Sequence, residues 1–163
     1  MGTDSEQLSR TTPDLDEKDL EILRLLQQDA KLTVRDIAIQ IHLSATPTHE
    51  RIKRLERTGV IKQYAALLDH KLAGKAITVF CHVSLKKHDK KLAKAFIHAI
   101  SKFDEVLECY NISGEFDFLL KIVAENMERY HKFYVNRLSE VKGIGQTKSS
   151  FVMDVIKETH KII

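Results

Sequence analysis

The side chains best suited to chemistry in this chain form a cationic run between Ser44 and Gln63. The run holds two acidic residues, Glu50 and Glu56, against five basic ones: Arg51, Lys53, Arg54, Arg57 and Lys62. Residues 1–64 as a whole carry 10 Lys/Arg and 11 Asp/Glu, so the positive charge is focused within a nearly neutral region. Such focusing favours contact with DNA phosphates, and a solvated helix face is the alternative interpretation.

A helix over this run sorts its residues by direction, because successive side chains turn by about 100°. The inward side is predicted to be Thr48, Ile52, Leu55 and Gly59. The outward side is predicted to be Thr46, Glu50, Lys53, Arg54 and Arg57, with Pro47 and Arg51 on its flank. Arginine can bind guanine through two N–H groups at once, and serine or threonine can meet bases or phosphates.

Position along this helix predicts a division of labour. The stretch from Ser44 to Arg51 is expected to reach deepest into a DNA groove, while the later cations hold the backbone. Glu50 is expected either to pair with Arg54 four residues on or to accept a hydrogen bond from a cytosine. The predicted DNA-binding residues are Ser44, Thr46, Pro47, Glu50, Arg51, Lys53, Arg54 and Arg57.

A second polar constellation is the S-G-E-F-D segment, with Ser113, Gly114, Glu115 and Asp117. Gly114 permits a tight turn with exposed backbone N–H groups, beside two carboxylates. Together these groups suit the carboxylate and ammonium of a free amino acid. A hairpin turn with solvated acids is the alternative, and from the residues alone it is the favoured one.

Nothing in the sequence favours an enzyme. There is no nucleophile–base pair, no phosphate-binding glycine loop and no H-E-x-x-H metal motif, so we predict no catalytic residue, metal or cofactor. Cys81 and Cys109 stand far apart in apolar segments. We expect both to be buried free thiols.

Three short helices are predicted to position the cationic run. The first starts at an Asp16 cap with Asp19 three residues on, and the second at a Thr33 cap with Asp36 three residues on. His42 occupies the turn before the third helix, where a residue with positive φ is expected. Ser44 then caps that helix and Gly59 ends it. V-I-K-Q-Y follows as a short strand, which indicates a winged helix-turn-helix.

From Ile77 the pattern changes to a split β-α-β-β-α-β order, which predicts a ferredoxin-like domain in an α+β protein. Its strands are expected at Ile77–Leu85, Val106–Ile112, Phe116–Ala124 and Ser149–Lys157. Its helices are expected over Lys90–Phe103 and after an Asn126 cap, with Met127 among the inward residues. One sheet face lacks a helical cover, and dimerisation would supply it.

Length and composition fit two small domains in one chain of 163 residues. With 43% apolar and 30% charged residues, the chain has the composition of a soluble globular protein. No apolar run approaches the roughly 20 residues that a membrane span needs. Residues 1–14 are polar and are expected to form a flexible arm rather than a signal peptide. We therefore expect a cytoplasmic protein without a membrane partner.

Three segments in this order resemble the Lrp/AsnC family of transcriptional regulators. They are L-D-E-K-D-L-E-I-L near the start, L-S-A-T-P-T-H-E-R-I-K-R-L-E-R-T-G-V-I-K-Q-Y in the cationic run, and S-G-E-F-D-F-L-L-K in the second domain. The resemblance extends from about Leu15 to Ile156. His42 stands where the family usually has glycine.

The resemblance implies a winged helix-turn-helix domain over residues 15–64, with the two-helix motif at about 34–53. A linker strand over 65–76 and a RAM-type sensing domain over 77–163 follow. It also implies a homodimer that assembles further to an octamer, and an amino-acid effector near the Gly114–Asp117 turn, whose identity does not carry over. The leading hypothesis is a sequence-specific DNA-binding regulator modulated by that effector. The alternative is an architectural DNA-wrapping protein without a metabolite response.

Overall fold

The computed structural model describes residues 13–87 and 89–163, so the predicted flexible arm lies almost wholly outside the described residues. Two compact units are present. The first holds the described residues up to Ala66 together with Lys157–Ile163, and the second holds Leu67–Ile156. The sequence had assigned the C-terminal residues to the second domain. In the structure they group with the first unit, where the Ile162 N–H donates to Gln27 Oε1 at 2.6 Å.

Three helices build the first unit: α1 (Glu17–Gln28), α2 (Val34–Gln40) and α3 (Ala45–Arg57). Both expected capping boxes are present. The Asp19 N–H donates to Asp16 Oδ1 at 2.9 Å, and the Asp36 N–H donates to Thr33 Oγ1 at 3.2 Å. Hydrogen bonds from Thr33 also lower the pKa of Asp36. Each box satisfies N–H groups that a helix start leaves without partners, so α1 and α2 begin where the sequence predicts.

The turns around α3 follow the predicted chemistry. His42 has φ 56° and Gly59 has φ 76°, which is the left-handed region that glycine adopts freely and histidine tolerates. The inward face of α3 is also confirmed, since Thr48, Ile52 and Leu55 are buried. The Thr48 hydroxyl donates to the Ser44 carbonyl at 2.9 Å, which satisfies a polar group inside the core. The core itself consists of Ile22, Leu23, Ile37, Ile41, Ile52 and Leu55.

The strand predicted after α3 does not form. Val60 and Ile61 pack against the helical core, and residues 62–69 have no regular secondary structure. The linker strand expected over 65–76 is likewise absent from the described residues. A strand exists only as part of a hydrogen-bonded ladder, and no other described segment pairs with this one. The predicted wing is therefore an irregular segment in the single chain.

The second unit contains β1 (Ile77–Leu85), α4 (Lys90–Ile100), β2 (Val106–Asn111), β3 (Phe118–Ala124), α5 (Met127–Phe133) and β4 (Ile144–Phe151). A π-helical turn over Tyr134–Leu138 extends α5. The sheet order is β2-β3-β1-β4, and each neighbouring pair is antiparallel. This is the predicted ferredoxin-like arrangement, in which the βαβ halves interleave.

One face of this sheet carries the core. Val79, Cys81 and Val83 of β1 are fully buried, as are Leu120 and Ile122 of β3. They pack with α4 and α5 through Phe96, Ile100, Tyr130 and Phe133. The opposite face presents half-buried side chains of the two central strands, namely Thr78, Phe80, His82, Leu119 and Lys121.

Three details of this unit correct the sequence predictions. β4 spans Ile144–Phe151 instead of the predicted Ser149–Lys157, because its pairing with β1 already starts at Leu85 and Ile144. Cys109 is exposed because β2 is an edge strand with one neighbour. Met127 is 54% exposed, since it is the first residue of α5 and precedes the buried stripe. Among the described residues, no helix has the length and apolar character that a membrane span requires.

Candidate nucleic-acid interface and effector turn

The outward side of α3 presents the predicted DNA-binding residues in two different states. Arg51 and Arg54 are only partly exposed. The remaining six are exposed: Ser44, Thr46, Pro47, Glu50, Lys53 and Arg57. Ser44 occupies the N-cap position as predicted, but its side chain makes no capping hydrogen bond. Its hydroxyl is therefore free to meet a ligand at the start of the helix.

Arg51 and Arg54 are held by carboxylates from the start of α1. Arg51 Nη1 donates to Asp16 Oδ2 at 2.6 Å and to Asp19 Oδ1 at 2.9 Å. Arg54 Nη2 donates to the other oxygen of Asp19. Asp19 is fully buried, so its charge requires such partners, because an isolated buried carboxylate is very unfavourable.

The same contacts shift the pKa values of Asp16 and Arg51. The Asp19 backbone N–H, followed by the Arg51 guanidinium, lowers the pKa of Asp16. Hydrogen bonds to Asp16 and Asp19 raise the pKa of Arg51. The charged forms are therefore favoured on both sides, and α1 and α3 are joined by an ionic network at the edge of the helix that carries the predicted interface.

This network corrects two expectations. Arg54 pairs with Asp19 of α1, whereas the sequence offered Glu50 as its ionic partner. The sequence pattern predicts Asp16 and Asp19 only as helix caps, whereas in the structure they also bind the arginines of α3. The available signal was spacing: two acids three residues apart on α1 match two arginines three residues apart on α3. That match becomes visible only when the two helices are known to cross there.

The remaining cations of α3 differ from the arginines. Lys53 Nζ lies 2.8 Å from Glu56 Oε2, and the Tyr64 hydroxyl donates to the other Glu56 oxygen at 3.1 Å. Lys53, followed by Tyr64, lowers the pKa of Glu56. Arg57 forms no ion pair with any described residue. An open cleft on this surface is lined by Glu50, Lys53, Arg54, Glu56 and Arg57.

The predicted effector residues lie at the turn between β2 and β3. Ser113, Gly114 and Glu115 are exposed at its tip, and Gly114 has φ 115°, a conformation that is strained for other residues. Asp117 is fastened to β1 instead. Its carboxylate accepts the Leu85 N–H at 2.7 Å and its backbone N–H donates to Val83 at 2.9 Å. The structure thus separates an exposed acid, Glu115, from a structural one, Asp117.

Two residues beside this turn were missed by the sequence reading. Phe116 is buried, and its ring lies 5.3 Å from that of His82 on β1. His82 Nδ1 is buried without a hydrogen-bond partner among the described residues. A buried unsatisfied nitrogen costs about 1–3 kcal/mol. The turn therefore adjoins an apolar ring and a polar atom that a ligand or a second protein surface would satisfy.

The described residues contain no group of three or more metal-ligating side chains. A buried thiol, Cys81, has its pKa raised by desolvation, which makes it a poor nucleophile. Its Sγ lies 3.8 Å from Ser149 Oγ, within the core of the sheet.

Comparison with known proteins gives matches to both units. A family described as "Winged helix-turn-helix DNA-binding" matches residues 15–62. A family described as "Lrp/AsnC ligand binding domain" matches residues 78–162. The leucine-responsive regulatory protein of Escherichia coli K12 is 33% identical over 154 residues, which cover 94% of this chain and 94% of that protein.

Solved structures agree with these matches. An AsnC family transcriptional regulator from Agrobacterium tumefaciens has a TM-score of 0.86 at 36% identity, covering 91% of this chain and 97% of that one. A transcriptional regulator from Neisseria meningitidis, solved as a complex with L-Met, has a TM-score of 0.85 at 33% identity. The matched regions cover 90% of this chain and 95% of the Neisseria protein.

Proposed function

Because this chain belongs to the Lrp/AsnC family of DNA-binding transcriptional regulators, we propose that α3 reads the major groove of its operators. The observation that carries the proposal is the exposed face of α3, where polar and cationic side chains stand opposite a buried apolar stripe. Ser44 and Thr46 lie at the N-terminal end of α3, which enters the groove most deeply in helix-turn-helix proteins. Lys53 and Arg57 lie further along α3, where we expect them to contact phosphates of the DNA backbone.

Arg54 has a particular place in this interface. Its side chain is 42% exposed although it binds Asp19, and a guanidinium has five N–H donors in a fixed fork. The contact with Asp19 leaves donors for DNA and limits the directions in which they point. Less side-chain freedom is then lost on binding, and the geometry suits a base edge better than a mobile cation does. Asp19 is thus a positioning residue for DNA recognition.

We further propose that two chains form the reading unit. Leu67, Leu68 and Leu72, in and just after the irregular segment, are 70%, 70% and 89% exposed, and no other described segment pairs with this one as a strand. The half-buried sheet face around Phe80 and Leu119 is also without a helical cover. A second copy of this chain would cover both surfaces and place two α3 helices about 34 Å apart, one turn of DNA.

The second unit is proposed to bind a small amino acid at the turn formed by Ser113, Gly114, Glu115 and Asp117. The turn has an exposed carboxylate for an ammonium group, and the relative from Neisseria meningitidis is solved with L-Met. Such an effector controls DNA binding only if it binds one assembly of the protein better than another, because equal affinities shift no equilibrium. Since its target is DNA, we place the protein in the cytoplasm.

Selection of bound sequences from a random duplex library tests the function as a whole. A dimer that reads DNA through two α3 helices should enrich one motif with two-fold symmetry. Addition of the effector amino acid should shift the bound population. Calorimetric titration with individual amino acids separates this function from the architectural alternative, which predicts no binding of any. Failure to enrich any sequence would contradict the reading role of α3.

A further inference from the structure

Six exposed lysines gather at the start of α4, far along the chain from α3. They are Lys86, Lys87, Lys90, Lys91, Lys94 and Lys142, and we refer to them as the lysine cluster. Lys142 belongs to it because the Lys86 N–H donates to the Gly143 carbonyl at 2.9 Å. From Leu85 to Lys102 there are six lysines and one acid, Asp89. Six lysines less one acid give that segment a net charge of +5, whereas the net charge of the whole chain is +3.

The lysine cluster is arranged against the stability of its own helix. Asp89 caps α4, since its side chain accepts the Lys91 N–H at 2.8 Å, but the first turn itself has no acidic residue, although the positive end of the helix dipole favours acids there. Lys90 and Lys91 occupy that turn instead. Lys94 then follows Lys90 by four residues, a spacing at which like charges repel. Local folding therefore does not account for these residues.

Several other cations of the same unit form ion pairs. Lys121 Nζ lies 3.2 Å from Glu108 Oε1, and Lys132 Nζ lies 2.7 Å from Glu128 Oε1. Arg137 binds Glu105 at 2.6 Å. In contrast, no side chain of the lysine cluster forms an ion pair with a described residue. The cluster therefore differs from these paired cations because it concentrates several positive charges that no described carboxylate neutralises.

The geometry of the cluster suits a long polyanion. Lys91 and Lys94 lie on the side of α4 away from buried Phe96 and Ile100 and Lys90 lies on the flank, because successive residues of α4 turn by about 100°. They occupy a convex helix face, and Lys90 and Lys94 are about 6 Å apart along the axis. DNA presents one charge per about 1.7 Å of its length, so several phosphates fall within reach of the cluster at once.

We propose that the lysine cluster is a second DNA-contacting surface, which binds the phosphodiester backbone without reading its sequence. The proposal rests on the proposed function, because a DNA-binding regulator already brings a duplex to the protein. Each lysine that neutralises a phosphate releases a counterion, and this makes binding steeply dependent on salt. The cluster thus adds affinity for long DNA, whereas α3 supplies the choice of site.

The test uses the full chain and a long duplex without an operator, with binding measured by electrophoretic mobility over a series of salt concentrations. The variant Lys86→Gln/Lys90→Gln/Lys94→Gln is expected to make the slope of log affinity against log salt shallower by about 3, at roughly 0.9 per phosphate contact. Lys132→Gln is the matched control, since Lys132 lies in the same unit and is already paired with Glu128. It should leave the slope unchanged.

The variant Lys53→Gln/Arg57→Gln separates this inference from the proposed function. A changed slope for the α3 variant with an unchanged slope for the lysine variant would overturn the inference and leave the function standing. The reverse result would support the lysine cluster and overturn the role of α3. If neither variant changes the slope, both proposals are wrong. An equal change in Lys132→Gln would reduce the effect to net charge and also overturn the inference.

A single substitution guards against a folding artefact. Lys90→Glu places an acid at the positive end of the α4 dipole and four residues before Lys94, so it is expected to raise the melting temperature. The same change should weaken binding to long DNA more than Lys90→Gln does. Higher stability together with weaker binding supports the proposal. Unchanged binding by a more stable variant would overturn it.

Discussion

Arg51 and Arg54 of α3 and the lysine cluster at the start of α4 are surface cations, yet they differ in their ionic partners. Arg51 and Arg54 are fixed by the buried carboxylate of Asp19, whereas the lysine cluster has no ionic partner among the described residues. A guanidinium held in one orientation donates hydrogen bonds in fixed directions. An unpaired ammonium on a flexible side chain can bind a phosphate in many positions. Specificity and general affinity for DNA are therefore assigned to separate parts of this chain.

The largest effect is expected when the buried carboxylate that holds the two arginines is removed. Asp19→Ala leaves Arg51 and Arg54 without their shared partner and deletes the second half of a capping box. We expect a loss of about 3 kcal/mol in the free energy of unfolding, the lower end for a broken buried ion pair, because both arginines keep some exposure. Denaturant unfolding measures it.

Glu17→Gln is the control for this substitution, because Glu17 is an exposed acid of the same helix that pairs with Arg24 at 3.2 Å. It should cost less than about 1 kcal/mol, as exposed pairs do. Equal losses for the two variants would show that Asp19 is no more than a surface acid.

A smaller effect is expected from Arg54→Lys, which keeps the charge and removes the fork. We predict about a tenfold loss, or roughly 1.4 kcal/mol, in the preference for an operator over a scrambled duplex. The salt slope should stay the same because the charge is retained. Competition binding with the two duplexes measures the preference.

Lys90→Arg is the matched change in the lysine cluster and should leave the preference for the operator unaltered. If Lys90→Arg alters sequence preference as much as Arg54→Lys does, the assignment of specificity to α3 and of general affinity to the lysine cluster is wrong.

The smallest effect is expected at Asp16, which binds Arg51 at the exposed side of the network. Its pKa in the folded chain lies below the ordinary value of 3.8, so its ionised form stabilises the fold. This contribution is complete above that pH and declines as the pH falls through the folded pKa. Asp16→Asn should therefore be less stable than the wild type at neutral pH, and the difference should shrink in acid. A difference that stays constant from neutral pH to pH 2 would remove Asp16 from the network.

Local patterns were sufficient for the features that depend on one segment. The inward set Thr48, Ile52 and Leu55 follows from helical periodicity, and the positive φ of His42 follows from turn chemistry. The order of strands and helices in the second unit was also predictable, because each element has its own hydrophobic period. The comparisons confirm the family and fold that these patterns indicated.

Features that depend on two segments were missed. The strand expected after α3 has the composition of a strand but no pairing partner among the described residues. β4 was placed too late because Gly145 resembled a loop residue. In the structure a Cβ at Gly145 would lie 3.2 Å from the Leu85 carbonyl carbon, so the glycine permits close strand approach. The link from Asp19 to Arg54 likewise requires the crossing of α1 and α3, which no local pattern contains.

The most direct measurement is the structure of this protein bound to a selected operator. The account predicts α3 in the major groove, with Ser44 and Thr46 nearest the bases and Arg57 on a phosphate. It also predicts that Arg54 contacts DNA while it remains bound to Asp19. An operator complex in which α3 lies outside the major groove, or in which Arg54 leaves Asp19 to reach DNA, would contradict the account.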